Sequence, residues 1–250
     1  MRAFWTLLRR EMASYFYSPM AYIVLVLFLL LMGTGFWMLV SVLVEGPTHE
    51  SVMRIMLGES MFFWLAMLVV TPLITMRLLA EEKRSGTIES LLTAPVRDTE
   101  VVLAKYAGAL FFFVFMWAPT IGYIGILRAF GGGGGAWDGG SVLSAYLGVF
   151  LIGSFFISVG VFTSSITRNQ TIAAMTAFAL LAGFFLLGFA PYFVREAWIQ
   201  EMTRYLSAVI HMMDFSRGAV DSRPVVLYVS LTVFMLFLTV KVVESRHWKS

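Results

Sequence analysis

The sequence contains no cysteine, which excludes disulfide staples, thiolate metal sites and cysteine nucleophiles. Charge is also scarce: 13% of the 250 residues are charged, against roughly 25% in a soluble domain. The three histidines, His49, His211 and His247, are scattered without metal-ligand spacing. No Gly-x-Ser-x-Gly element is present, so a nucleophile elbow is excluded. The glycine run from Gly131 to Gly135 leads into no Lys-hydroxyl pair, so the chain has no phosphate-binding loop of its own. No segment alternates polar and apolar residues as an outer-membrane barrel strand does. The long apolar runs hold no ionisable residue near their centres. That counts against a proton-coupled transporter, while sodium coupling through hydroxyls and carbonyls stays open.

What is abundant is apolar surface. Hydrophobic residues make up 59% of the chain and the mean hydropathy is +0.83. A soluble core needs only roughly 45–50% apolar residues, so the surplus belongs in lipid. Six apolar runs stand out: Met20 to Val44, Met61 to Leu79, Tyr106 to Leu127, Val142 to Ser165, Thr171 to Phe193 and Val225 to Val243. Each approaches the ~20 residues a helix needs to cross the hydrocarbon core. The expected fold is an all-α polytopic membrane protein with six transmembrane helices.

Basic residues set the orientation. With both termini inside, 12 Lys and Arg residues fall in cytoplasmic segments and 6 outside, and all four Lys fall inside. The positive-inside rule favours this arrangement. Arg77, Lys105 and Lys241 then lie at inner span ends, where long side chains can snorkel. The first apolar run follows a 19-residue lead and is too long for a signal-peptide core.

Residues 1–19 form the first unit. On a helical wheel Phe4, Trp5, Leu8, Met12, Tyr15 and Phe16 share one face, and Arg2, Thr6, Arg9, Arg10 and Ala13 lie opposite. Such a helix suits the inner membrane surface, as a simple anchor or as a mechanical element. Ser18-Pro19 breaks it before the first span.

Residues 20–250 form the transmembrane unit, with a cytoplasmic loop over 80–105 and an outer loop over 192–223. In the cytoplasmic loop Gly86 offers a break, Thr87 an N-cap and Glu89 a first-turn charge that suits the helix dipole. Ile88, Leu91 and Leu92 then share one face of a short helix, and Pro95 stops it. Asp98 or Thr99 can cap the next helix. The small apolar face can dock in a partner's groove, or pack back on its own protein.

Hydroxyls in the spans, at Thr71, Thr75, Thr120, Ser158, Thr163, Ser164 and Thr176, fit helix contacts or back-bonding better than a polar pathway. The pairs Gly160 with Ser164 and Ser154 with Ser158 have the spacing for close packing, and Pro72 and Pro119 are expected to kink spans two and three. The 23 Phe and 16 Met residues suit lipid or a greasy cavity equally.

The cytoplasmic loop resembles that of type-2 ABC exporter permeases, on Glu81-Glu82-Lys83, Gly86-Thr87, Glu89, Leu91-Leu92, Pro95 and Lys105. Arg9-Arg10-Glu11 with Tyr15-Phe16 and Ser18-Pro19, and Pro72 with Ile74-Thr75-Met76-Arg77, are similar to the gliding-motility and copper-maturation permeases of that class. Similarity continues weakly into Ser164-Ser165-Ile166-Thr167 and Asn169-Gln170. The glycine run before span four departs from the pattern and reads as a flexible linker.

The resemblance implies a multi-pass protein of the bacterial cytoplasmic (inner) membrane. It implies a non-catalytic subunit that meets a separate ABC ATPase, with ATP and Mg on that partner and no cofactor on this chain. The implied ATPase-coupling residues are Glu81, Glu82, Gly86, Thr87, Ile88, Glu89, Leu91, Leu92 and Pro95; the implied interface helix carries Arg9, Arg10, Glu11 and Phe16. A second permease copy or a paralogue would complete the pore, and short helices would occupy Ala190 to Arg223. An extracytoplasmic accessory protein fits that loop, and no nucleic-acid partner is expected. A mechanical subunit that moves an outer partner without transport is the competing expectation. An ATP-independent channel, which would have no associated ATPase, is a third.

Overall fold

A computed structural model describes residues 2–45, 51–86, 97–130, 139–190 and 196–245. The described residues are helical and contain no strand. Helix α1 (Arg2–Tyr17) precedes α2 (Pro19–Glu45), the first span. A π-helical turn over Arg54–Gly58 leads to α3 (Met61–Thr75) and the short α4 (Ala80–Ser85). Next come α5 (Asp98–Trp117) and α6 (Thr120–Phe130), separated at Ala118-Pro119. They are followed by α7 (Gly139–Ile166), α8 (Gln170–Leu187), α9 (Ala197–Leu206), α10 (Ala208–Ser216) and α11 (Ser222–Glu244). Six stretches among the described residues are long and apolar enough to cross a membrane: Pro19–Val44, Met61–Ser85, Asp98–Ala129, Gly139–Ile166, Gln170–Leu187 and Ser222–Glu244. The chain is an all-α polytopic membrane protein.

Short polar residues start these helices by satisfying the first free amides. The Phe63 amide donates to Ser60 Oγ at 3.4 Å, the Thr171 amide to Asn169 Oδ1 at 2.9 Å, and the Arg223 amide to Asp221 Oδ1 at 3.0 Å. The start of α5 differs from the sequence expectation. Its N-cap is Arg97, whose amide donates to the Glu100 carboxylate at 3.3 Å, and Asp98 lies inside the first turn.

The bundle is built around α7, which touches α3, α5, α8, α10 and α11 and is buried along nearly its whole length. Lipid is as apolar as leucine, so close packing rather than apolar transfer draws these helices together. Small residues make that packing possible. Gly148 lies under Phe215, where an added Cβ would stand 2.9 Å from the ring, Gly153 faces Phe113 and Gly160 faces Thr75. Trp117 gathers Phe28, Phe63 and Phe113 around it, with ring centroids 4.9, 5.7 and 6.0 Å away. Helices α2, α8 and α11 leave most of their surface outside the bundle, as lipid-facing spans do.

Most hydroxyls singled out in the spans serve the helices, whereas Thr71 Oγ1 is buried without a hydrogen-bond partner among the described residues. Thr75, Ser158, Thr163 and Thr176 donate to carbonyls three or four residues earlier on their own helices. Thr120 donates to the Trp117 carbonyl at 2.7 Å beside the Pro119 break and shares a 2.7 Å bond with the Tyr146 hydroxyl.

At one end of the bundle, α10 wedges against α7, α8 and the π-helical turn. Ser51 donates to the Ser216 carbonyl at 3.3 Å, Ser144 to the Phe215 carbonyl at 2.5 Å, and His211 Nδ1 lies 3.0 Å from the Tyr228 hydroxyl. At the opposite end α1, α4, the first turns of α5 and the α7–α8 junction meet.

Candidate functional site

That second end is held by charge. Lys105, two turns into α5, is buried with only 3% exposure. Its Nζ donates to Glu11 Oε1 of α1 at 2.9 Å and to Glu82 Oε1 of α4 at 2.7 Å. Arg10 approaches the same two carboxylates at 3.5 and 3.4 Å. Two cations and two carboxylates therefore cancel. Cancellation is what makes the burial tolerable, because an unpaired buried charge is strongly destabilising.

The local fold brings these groups together for stated reasons. Gly108, one turn after Lys105, has no side chain, and a Cβ there would stand 3.0 Å from Glu11 Cβ. Further along the same contact, Tyr15 stacks on Phe112 with centroids 4.9 Å apart and planes 9° from parallel. Phe16 packs edge-on against Phe112 and Phe115 at 6.2 and 5.2 Å. The Tyr15 hydroxyl donates to the Ile74 carbonyl at 3.1 Å, tying α1 to the end of α3. Burial raises the Tyr15 pKa, the Glu11 carboxylate raises it further, and the Arg77 guanidinium opposes both, so the phenol stays a neutral donor.

Between α3 and α4 the chain breaks its helix over residues 76–79, and Ser164 of α7 fills the gap. Its Oγ accepts from the amides of Leu79 and Ala80 and donates to the Met76 carbonyl, each at 3.1 Å. Glu81 pairs with Arg77 at 3.5 Å and accepts from the side-chain Nε2 of Gln170 at the start of α8. Arg77 also donates to Ser18 Oγ at 2.9 Å, at the junction of α1 and α2. Gly86 ends α4 with φ +73°, a left-handed conformation that glycine adopts without a Cβ clash.

The sequence-derived candidates thus divide. Glu11, Glu82 and Arg10 converge on Lys105, Glu81 joins the adjoining pair, and Gly86 caps α4. Phe16 is in the α1–α5 contact, whereas Arg9 is exposed and outside the ion cluster. Thr87, Ile88, Glu89, Leu91, Leu92 and Pro95 lie outside the described residues. Lys105 needs a correction. It does not snorkel to solvent, because two carboxylates from other helices reach it inside the bundle. The readable signal was Glu11, a carboxylate at the edge of the apolar face of α1, one turn before Tyr15.

At the other end, α9, α10 and α11 line an open pocket of about 320 Å³ with His211, Asp214, Asp221 and Arg204 in its wall. Burial lowers the His211 pKa, and the Asp214 and Asp221 carboxylates pull it back. Among the described residues, no group of three or more His, Asp or Glu side chains comes together as a metal site would require.

The chain matches the sequence model of a family described as ABC-2 family transporter protein over residues 46–240, most of its length. No curated protein matches it.

Proposed function

The chain belongs to the ABC-2 family of transporter proteins, and from that premise we propose that it couples ATP hydrolysis on a separate ATPase subunit to export across a bacterial cytoplasmic membrane. ATP and Mg²⁺ bind the ATPase, and this chain supplies the transmembrane path together with a second copy or a paralogue. The finer likeness to gliding-motility and copper-maturation permeases rests on residues 9–19 and 72–108 and belongs to this proposal.

The observation that carries it is the Lys105 cluster. Segment 87–96, the expected ATPase contact, is flanked directly by α4 and α5. Glu82 of α4 is joined through Lys105 to α5, and Glu11 brings α1 into the same cluster. Glu81 extends the linkage to α8 through Gln170. A pull on segment 87–96 therefore reaches spans two, three and five and the lead helix together. Export follows when nucleotide favours one of two arrangements of these spans through that contact.

The test is purification of the tagged protein in mild detergent, followed by identification of co-purifying chains. A stoichiometric partner with a nucleotide-binding loop, lost in the double variant Ile88→Asp with Leu91→Asp, is the expected result. An intact preparation with no ATPase would overturn the proposal.

A second reading is favoured by the seat of α10. Because α10 is wedged among α7, α8 and the π-helical turn, span motion reaches the outer face. A stable extracytoplasmic partner on segment 192–223 would then mark a force-transmitting subunit rather than an exporter.

A further inference from the structure

A cleft of about 280 Å³ opens beside the Lys105 cluster, between α1, the first turns of α2, and the α3–α4 break. Its walls are of mixed character. Ala21, Val24, Leu73 and Phe112 are among the apolar residues that line it, and Arg10, Glu11, Arg77, Glu81, Glu82 and Lys105 are its charged ones. The charged lining sums to zero, with three cations and three carboxylates. Among the described residues these groups keep unused capacity. Arg77 is half-exposed, bonds Ser18 through Nη1 and pairs with Glu81 through Nε, which leaves Nη2. Glu81 is also half-exposed and engages Arg77 and Gln170 through Oε2 alone, which leaves Oε1. Arg10 uses only Nη2 and is the most exposed of the three.

The lining thus combines apolar side chains with free guanidinium N–H donors and a free carboxylate oxygen. The basic residues fall on the cytoplasmic side of the expected topology, at the level of lipid headgroups. We propose that the cleft holds one inner-leaflet aminophospholipid, with its phosphate on Arg77 and Arg10, its primary ammonium on Glu81, and an acyl chain against Val24 and Leu73. A phosphate matches the planar guanidinium donors. An ammonium has three N–H donors for a carboxylate, and a choline headgroup has none. A purely anionic lipid would leave Glu81 facing negative charge across a lining with no net cation to attract it. The occupant bridges α1, α2, α3 and α4, so it would brace the end of the bundle at which the charge cluster sits. This inference needs only the membrane orientation and stands apart from the ATPase proposal.

The test is native mass spectrometry of the purified full chain, delipidated and then exposed to matched-chain phosphatidylethanolamine, its N-methyl and N,N-dimethyl forms, phosphatidylcholine and phosphatidylglycerol. Tight 1:1 retention of phosphatidylethanolamine is expected. Phosphatidylcholine should bind about tenfold more weakly, the loss of one charge-assisted hydrogen bond, with the methylated forms between. Glu81→Gln should flatten that series, and Arg77→Gln should weaken every phospholipid. Water-soluble glycerophosphoethanolamine should compete poorly, because it lacks the chain. Equal retention of phosphatidylethanolamine and phosphatidylcholine by the wild type would overturn the proposal, as would preference for phosphatidylglycerol. The methyl series uses the unaltered protein, so a variant that fails to fold does not remove the test.

Discussion

Replacing Lys105 by Met keeps the length of the side chain and deletes its charge. Glu11 and Glu82, whose side chains are 9% and 15% exposed, then face each other without the cation that separates them. Removing one partner of a buried pair costs about 3–5 kcal/mol. Arg10 remains within 3.5 Å of both carboxylates but is more than half exposed, so it recovers only a small part of the loss. The lower end, about 3 kcal/mol, is therefore expected. For a chain of this length each kcal/mol lowers the melting temperature by about 2–4 °C, so the variant should melt about 6–12 °C below the wild type. The assay is thermal unfolding in one detergent at one protein concentration. Adding Glu11→Gln and Glu82→Gln removes the stranded charges and should restore most of the loss. A shift for Lys105→Met below ~2 °C would refute the reasoning, since it falls under one kcal/mol. A triple variant no more stable than the single one would refute it equally.

Three further outcomes follow from particular contacts. Ser164→Ala removes the acceptor for the Leu79 and Ala80 amides and should cost about 1–3 kcal/mol in the same assay, whereas Ser165→Ala, which loses only a bond to its own helix, should cost less. Gly160→Val drives a side chain into Thr75 and should destabilise by about 1–3 kcal/mol or more, with partial recovery in the Thr75→Gly background. Because the His211 pKa is lowered in the folded protein, its stabilising share is complete above the ordinary value of about 6.5 and is lost as pH falls below it. Melting temperature should therefore drop more steeply in the wild type than in His211→Gln as pH falls below about 6.5.

Hydropathy alone made the six spans legible, because nothing except lipid accommodates six such runs in 250 residues. Their ends were less so. Span three starts at Asp98, two turns before the apolar run, because Glu11 and Glu82 neutralise Lys105 and let a charged segment continue into the bundle. Span two gives way at Thr75 because Ser164, remote in sequence, satisfies the broken turn. The burial of α10 was hidden for a similar reason. His211, Ser207 and Ser216 read as polar, yet each is bonded internally. The π-helical turn has no composition of its own and depends on α10 packing over Gly58. In the candidate site, Glu11 and Glu82 were readable as motif residues. Lys105 was readable in the same way, but its pairing with both carboxylates was not, because pairing across three helices leaves no periodicity in any one of them.

The absence of cysteine makes the central claim directly testable. A single cysteine placed at Leu91 can carry a photoreactive maleimide probe on an otherwise unreactive chain, in the complex purified from its host. Irradiation should yield one adduct, to a chain with a nucleotide-binding loop, and the same probe on Ala219→Cys, exposed at the opposite end of the bundle, should yield none. An ATPase adduct from position 219 but not from 91 would contradict the account, as would a co-purified ATPase that neither position reaches.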